Sequence, residues 1–403
     1  MNHTKISDKA RKAIYIGTLC SVSYLAVYIA RNVLSAVTPA MIEAGYSEGY
    51  IGSISSLYFV FYAFGQLING SIGDRIKAKW MIAIGLLGAG VTNLLFSLVV
   101  ANRYAATAAY ALTGFFLSMI YGPMTKVVSE NTEPIYATRC SLGYTFASFF
   151  GTPSAGLLAS FLVWNDVFNV SSAALLTMAV VGFSFFTAFE KRGIVKYGQY
   201  KRSKQQSGGI GVLIKHDIVR FSFISIITGV VRTSVVFWLP TYISQYLCFP
   251  ADVSAMIFTV ATLVISLTAF IAVFVYEKLG RDMYKTVTLM FTVSAVAFLF
   301  TFLVAMPALN IVFIVLAIMA SNGAATMLWS RYCPGLRDTG MVSGATGFLD
   351  FLSYMSAAAA NLIFANAVTV IGWGNLILVW LGLVIIGTVI SMPFGKIIAK
   401  SKV

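Results

Sequence analysis

Residues 24–39 read YLAVYIARNVLSAVTP and place an arginine, Arg31, inside a segment that is otherwise suited to lipid. Between Ala13 and Ile42 there is no other Asp, Glu, Lys, Arg or His. At about 1.5 Å per helical residue this run reaches roughly 45 Å, more than the ~30 Å hydrocarbon core, so Arg31 lies well inside it. A guanidinium there costs at least ~2.5 kcal/mol, and such residues usually face a water-filled cavity or a partner. Polar residues at helical spacing form a stripe that predicts a cavity-lining face: Tyr24, Tyr28, Arg31, Ser35 and Thr38.

The composition of the whole chain agrees with this membrane setting. Hydrophobic residues make up 59% of the 403 residues and charged residues 10%, far below the roughly 25% charged of soluble proteins. Apolar runs long enough to cross a bilayer predict an all-α membrane protein with twelve transmembrane helices. The runs lie near 13–42, 50–73, 80–100, 104–126, 140–163, 170–189, 218–247, 253–276, 285–306, 309–330, 341–369 and 374–395.

The net charge of +14 is explained by where the basic residues fall. All Lys and Arg except Arg31, Arg103 and Arg232 lie at the two termini, in even-numbered loops or at the span ends that border these loops. The positive-inside rule therefore predicts a multi-pass protein of the cell inner membrane with both termini in the cytoplasm. The basic segment 190–217 is expected to contact anionic headgroups of the bilayer, and no nucleic-acid partner is expected.

An internal repeat relates the two halves of the chain. Arg31 is followed eight residues later by Pro39, and Arg232 is followed eight residues later by Pro240. The loop GSIGDRIKAK (70–79) is matched about 203 residues later by YEKLGRD (276–282). Such repeats are typical of transporter folds. We therefore predict an N-terminal six-helix bundle at 1–189, a cytoplasmic linker at 190–217 and a C-terminal six-helix bundle at 218–403.

These features resemble the major facilitator superfamily, whose loop between spans two and three carries a Gly followed by Asp-Arg and further basic residues. The resemblance covers the whole length and implies two pseudo-symmetric six-helix bundles in a monomer. In this chain the motif is Gly73, Asp74 and Arg75, followed by Lys77 and Lys79.

Within that superfamily the arginine pair is similar to the organophosphate:inorganic phosphate antiporter family, which includes glycerol-3-phosphate and hexose-phosphate exchangers. The resemblance implies that both arginines bind the phosphate at the midplane with tyrosines around them. The matching residues are Tyr24, Tyr28, Arg31, Asn32 and Pro39, the GSIGDR loop, and Arg232 followed by WLPTY. Two departures from the glycerol-3-phosphate carriers concern the substrate. Gln66 stands where those carriers have a lysine, and they have a histidine in span five, whereas neither His3 nor His216 of this chain lies in a span.

Charge chemistry supports a dianionic ligand independently of the resemblance. A phosphate monoester carries about −1.5 to −2 charges near pH 7, and arginine presents a planar fork that binds such oxygens bidentately. Asp350 is a carboxylate well inside a span and shares a helical face with Tyr354. Four roles are open for Asp350: charge partner of an arginine, contact for a substrate hydroxyl, proton carrier, or a purely structural residue.

Further lining candidates rest on polar stripes in spans two and four. A tyrosine at helical spacing is also a common packing residue. The stronger candidates are Tyr62, Gln66 and Asn69; the weaker ones are Tyr58, Tyr110, Ser118 and Tyr121.

The sequence thus predicts a secondary transporter that exchanges an organic phosphate, or a similar dianionic organic anion, for inorganic phosphate by alternating access. No Walker A loop or other enzyme motif occurs, no cofactor is expected, and the four cysteines imply neither a disulfide nor a zinc site. Two alternatives remain open: a proton-coupled symporter of carboxylates or sugar acids with Asp350 as proton carrier, and a transporter-like sensor of sugar phosphates.

Overall fold

The computed structural model describes residues 8–72, 76–197, 210–336 and 342–393, and almost all of them are helical. The expectation of an all-α membrane protein is confirmed. The α-helices are α1 Asp8–Glu43, α2 Glu48–Ile72, α3 Ala78–Val99, α4 Arg103–Ser118, α5 Tyr121–Asn131, α6 Pro134–Phe161, α7 Trp164–Lys191, α8 Ile210–Lys215, α9 Ile218–Gly229, α10 Val236–Gln245, α11 Ala251–Ser266, α12 Thr268–Lys278, α13 Met283–Leu303, α14 Pro307–Met327, α15 Cys333–Gly335 and α16 Val342–Ser391; two π-helices, π1 Val230–Val235 and π2 Leu328–Tyr332, are inserted between them.

Ten helical segments within the described ranges are long and apolar enough to cross a membrane. Several of these spans combine shorter helices: α4 and α5 form one span, α9, π1 and α10 another, and α11 and α12 a third. The last segment contains a break at Gly372, whose φ of 74° is available to glycine at little cost. The break divides α16 where the sequence predicts the boundary between its last two spans. With α6 counted as well, the helices agree with the twelve predicted apolar runs.

Helix ends coincide with residues suited to them. Asn102 and Asp282 cap α4 and α13 by accepting hydrogen bonds from the amides of Ala105 and Lys285, each at 3.2 Å. Pro134 and Pro307 stand in the first turns of α6 and α14, where a missing N–H costs nothing. Local sequence therefore sets these boundaries.

Contacts divide the described residues into two compact units. The first, unit 1, contains residues 8–46, 53–72, 76–197 and 251–259. The second, unit 2, contains 47–52, 210–250, 260–336 and 342–393.

In unit 1 the interior is built by close packing of small and aromatic side chains. Helix α1 packs along α6, where Gly151 lies so close to Tyr28 that a Cβ would overlap the tyrosine side chain. Helix α3 packs along α7, and buried Asn93 donates to the hydroxyls of Ser171 and Ser172, both at 2.9 Å. In a membrane such small residues and polar contacts hold helices together, because lipid is as apolar as the side chains.

One end of unit 1 carries its ion pairs. Glu190, at the end of α7, accepts from Lys77 at 2.8 Å and from buried Lys79 at 2.6 Å. Lys9 pairs with Glu133 at 2.5 Å, which joins the start of α1 to the start of α6. Within unit 1 the start of α1 thus lies beside the start of α6, and the start of α3 beside the end of α7, as the predicted span order requires. Asp74 and Arg75 of the loop motif lie outside the described residues.

Unit 2 is centred on α9, π1 and α10 packed against α16. Ser225 donates to the carbonyl of Leu349 at 2.6 Å, and Ser356 donates to that of Ile226 at 3.1 Å. Gly229 lies against Ser353, where a side chain would meet the serine backbone. These contacts place the seventh predicted span directly beside the eleventh.

Candidate functional site

Arg31 lies in α1 of unit 1 inside a shell of aromatic rings. Its guanidinium carbon is 5.0 Å from the ring centroid of Tyr62, 5.8 Å from that of Tyr28 and 5.9 Å from that of Phe59. Each such cation–π contact contributes roughly 0.5–2 kcal/mol, more where water is excluded. The guanidinium is half-buried, and the rings attract its positive charge. Phe59 was not predicted from the sequence, because nothing local distinguishes it from a lipid-facing phenylalanine.

A cluster of tyrosines continues from Arg31 along α1. Tyr24 is 5.0 Å from Tyr28, 5.4 Å from Tyr121 and 5.9 Å from Tyr144, measured between ring centroids. The structure therefore brings together Tyr24 and Tyr28 with Tyr121 from α5 and adds Tyr144 from α6. Tyr144 was not predicted from the sequence, because only the packing of α6 on α1 places it here.

The remaining α1 and α2 candidates differ in how their polar groups are used. Asn32 donates its side-chain amide to the carbonyl of Tyr28 at 2.7 Å. Gln66 is half-buried one turn beyond Tyr62 on α2, and its side chain makes no hydrogen bond among the described residues. Asn69 is buried and donates to Ser118 at 2.8 Å, which ties α2 to α4.

The C-terminal part of the predicted polar stripe on α1 is buried in the packing of the unit. Ser35 and Thr38 are buried, and Thr38 donates to the carbonyl of Leu34 at 2.6 Å. Tyr58 and Tyr110 are also buried, with ring centroids 5.0 Å apart. In unit 1 the half-buried polar groups thus centre on Arg31, Tyr28 and Gln66.

Arg232 lies in π1 of unit 2, within the helical segment that runs from Ile218 to Gln245. A π-helical turn is rare and frequently marks a functional site. The residue is half-buried and has no ion pair, hydrogen bond or ring contact among the described residues. Two residues on, Ser234 donates to Asn361 of α16. The π-turn is therefore held by its neighbours, while the arginine itself is unpaired within the described part of the chain.

Asp350 and Tyr354 lie on α16 in the stretch that packs along α9 and π1. Asp350 is half-buried and Tyr354 is buried. Asp350 forms no ion pair with Arg232, since Arg232 has none among the described residues. Unit 2 thus contributes a guanidinium in π1 and a carboxylate on the helix packed beside it.

The described residues contain no group of three or more His, Cys, Asp or Glu side chains that could hold a metal ion. All four cysteines are free thiols. A guanidinium is a permanent cation with several N–H donors, so each arginine offers a group of the kind that binds anions.

Fold and site together define a polytopic helical membrane protein with a half-buried arginine in a span of each unit. Residues 20–360 match the model of the Major Facilitator Superfamily, and the chain belongs to that superfamily. A bacterial homolog of the human lysosomal transporter Spinster, solved inward-facing and unoccupied, has a TM-score of 0.78 at 11% identity over 94% of this chain and 96% of that chain. The xylose transporter XylE from E. coli, solved inward open, has a TM-score of 0.73 at 11% identity over 95% and 96%. These likenesses show the fold.

Sequence relatives support the resemblance to the organophosphate:inorganic phosphate antiporter family. Membrane sensor protein UhpC of Salmonella typhimurium is 26% identical over 164 residues, which cover 40% of this chain and 32% of that protein. The glycerol-3-phosphate transporter of Bacillus subtilis is 22% identical over 185 residues, covering 45% and 37%. A probable hexose phosphate transport protein of Chlamydia pneumoniae is 22% identical over 110 residues, covering 27% and 24%. The matches thus span about a quarter to somewhat over a third of these relatives, none of which is named as an enzyme.

Proposed function

We propose that this chain is a secondary transporter that exchanges an organic phosphate, or a similar dianionic organic anion, for inorganic phosphate by alternating access. The observation that carries the proposal is Arg232, a guanidinium inside an apolar helical segment with no partner among the described residues. An arginine at the centre of a membrane helix costs about 2.5–3.5 kcal/mol on insertion scales. A reversibly bound anionic ligand explains why a charge is kept there without a partner among the described residues.

Arg31 provides the second cation, and its surroundings fit a binding role. The rings of Tyr28, Phe59 and Tyr62 surround the guanidinium without adding a negative charge. Cation–π contacts attract the charge of a guanidinium, and its planar fork of N–H donors matches two phosphate oxygens. We infer that Arg31 and Arg232 bind one phosphate group, with Tyr24, Asn32 and Gln66 contacting the remainder of the substrate.

Two arginines select for dianions. At an effective dielectric of about 20, each contact near 4 Å contributes on the order of 4 kcal/mol before desolvation. A carboxylate with a single charge satisfies only one guanidinium, whereas a phosphate monoester satisfies both. The relatives named as glycerol-3-phosphate and hexose phosphate transporters support a phosphate ester as the organic anion. The missing lysine at Gln66 favours an organic group other than that of glycerol-3-phosphate.

Obligate exchange follows from the same charges. Without substrate, Arg31 and Arg232 leave one to two positive charges, depending on Asp350, at a site that must close to change sides. A bound dianion neutralises the pair, so the loaded protein closes with a smaller electrostatic penalty. The substrate shifts that equilibrium only through its differential affinity for the closed state.

A sensor of sugar phosphates is the second candidate. The relatives named membrane sensor protein UhpC, from Salmonella typhimurium and Escherichia coli, favour it. A sensor would bind the same anion through the same arginines but would signal to a partner protein instead of moving substrate.

The proposal includes the place of the protein in the cell. We propose a monomer in the cell inner membrane with both termini in the cytoplasm, because the basic residues concentrate at the termini and in the even-numbered loops of the sequence. The predicted domains at 1–189, 190–217 and 218–403 remain part of this proposal. The two contact units differ from these domains at two short segments: residues 47–52 belong to unit 2, and residues 251–259 belong to unit 1.

Proteoliposomes test the proposal directly. Vesicles loaded with phosphate are diluted into buffer with and without external phosphate, and efflux of labelled phosphate is followed. Fast efflux only with external phosphate supports exchange, whereas equal rates refute obligate exchange.

Unlabelled phosphate esters, phosphonates and carboxylates are then compared as competitors. Competition by carboxylates alone contradicts the phosphate site, and uptake that collapses with a protonophore supports the proton-coupled alternative. Anion binding without flux identifies a sensor.

A further inference from the structure

Unit 1 contains a cavity away from Arg31, between the first turns of α1 and α6. Its volume is about 340 Å³, within the roughly 300–1,000 Å³ of small-molecule sites. The lining residues come only from these two helices and include Ile14, Thr18, Ser21 and Val22 of α1 and Tyr136 and Arg139 of α6. Ile14, Thr18, Val22 and Arg139 are exposed, so the cavity opens on the outer surface of the unit.

The polar groups of the cavity are donors suited to an anion. Arg139 has no ion pair among the described residues, and its guanidinium carbon lies 5.7 Å from the ring centroid of Tyr136. The hydroxyls of Thr18 and Ser21 add two donors. No lining residue is acidic. Among the described residues that line it, the cavity therefore has one cationic side chain and no acidic one.

The depth of Arg139 matches a lipid headgroup. It lies five residues from the start of α6 at Pro134, which is roughly 8 Å along the helix. The ion pair between Lys9 and Glu133 marks the same end of the unit. Under the proposed topology this is the cytoplasmic end, where the surface of the bilayer is anionic.

An apolar track leads from the cavity toward the middle of the membrane. Beyond Arg139 on α6, Phe146 and Phe150 are 58% and 51% exposed, and Val22 is exposed on the facing helix. In a soluble protein these side chains would be unfavourable on the surface, but in a bilayer they contact acyl chains. A headgroup in the cavity would thus continue into a tail on the track.

We propose that this cavity binds the phosphate headgroup of an anionic phospholipid, with Arg139 as its cationic contact and the track beside Phe146 and Phe150 as the path of an acyl chain. The site is separate from the candidate substrate site. Arg139 lies twelve residues, or roughly 18 Å, along α6 from Gly151, which contacts Tyr28 beside Arg31.

Native mass spectrometry of the delipidated full chain, titrated with dioleoyl phosphatidylglycerol or phosphatidylcholine, tests the site. Wild-type protein should retain phosphatidylglycerol better than phosphatidylcholine. The variant Arg139→Gln should bind phosphatidylglycerol about fivefold more weakly, because a basic residue near the bilayer surface contributes about that factor. Thr18→Phe should also weaken lipid binding, since it fills the cavity and leaves the charge in place. Arg192→Gln, an exposed arginine at the same end of unit 1, should bind as wild type.

Competition separates a lipid from a soluble phosphate. Excess glycerol phosphate or inorganic phosphate should leave phosphatidylglycerol bound, because the soluble anions lack the acyl chain. Displacement by these anions would show a site for free phosphate and overturn the lipid assignment. Equal phosphatidylglycerol affinity in wild type, Arg139→Gln and Thr18→Phe would overturn the site itself. Thermal melting of each variant confirms that it is folded, and Arg139→Lys, which keeps the charge, should recover most of the binding.

Discussion

Replacing Arg232 by glutamine should abolish phosphate exchange and leave the folded protein as stable as before, or more stable. Arg232 has no protein partner among the described residues, so its removal breaks no ion pair and no hydrogen bond there. The uncompensated charge costs up to about 2.5–3.5 kcal/mol in the membrane. Its half-burial means that water already offsets part of this cost. The melting temperature should therefore stay constant or rise.

Replacing Arg232 by lysine separates charge from geometry. Lysine keeps the charge but loses the planar fork, so one of two charge-assisted hydrogen bonds to the phosphate is lost. Such a bond contributes roughly 1.5–3 kcal/mol, which corresponds to an affinity about 10- to 150-fold weaker. Arg31→Lys should behave in the same way, and it should also change the cation–π contact with Tyr62.

The assay combines phosphate exchange in proteoliposomes with thermal melting of the purified variants. Arg331→Lys is a matched control, because Arg331 is an exposed arginine in the other π-helix of unit 2 and lies 4.8 Å from the ring of Tyr276. It should keep wild-type affinity. Wild-type phosphate affinity in Arg232→Lys, or a large fall in melting temperature in Arg232→Gln, would refute the reasoning.

Three further changes test other parts of the site. Tyr62→Leu removes one of the rings that contact Arg31 and should weaken phosphate binding severalfold in an exchange assay, whereas Tyr62→Phe keeps the ring and should not. Equal effects of the two changes would exclude the cation–π contact. Asp350→Asn should alter the competition profile of different anions without abolishing exchange, and loss of uptake driven by a pH gradient would instead identify a proton carrier. Gly229→Ala should lower the melting temperature, because its Cβ would meet the backbone of Ser353, whereas Gly344→Ala, with open space around it, should not; equal melting temperatures would contradict the close packing.

The two arginines could be recognised in the sequence for a physical reason. A charge in an apolar run is costly wherever the run packs, so Arg31 and Arg232 stand out from their neighbours by hydropathy alone. The equal spacing of each arginine to its proline and the paired basic loops revealed the internal repeat, again from local sequence alone. Hydropathy also located the apolar runs, including the interruption that the structure shows as a break at Gly372.

Side-chain partners could not be read from the sequence, because they depend on helices far apart in the chain. Tyr144 reaches the tyrosine cluster only because α6 packs on α1, and Phe59 reaches Arg31 only because α2 lies beside it. Asn69 was a lining candidate, but the fold gives it a buried bond to Ser118. A polar stripe shows which residues share a face, and packing decides whether that face meets water, lipid or another helix.

By itself, then, the sequence determined the helical membrane architecture and the presence of a cation in the span of each half, since both follow from the cost of placing local groups in lipid. The tertiary structure decided which rings surround Arg31, that Arg232 lies unpaired among the described residues in a π-helical turn, and that a basic cavity opens beside α1 and α6. These features arise from contacts between residues distant in sequence. Such contacts are fixed only when the helices pack.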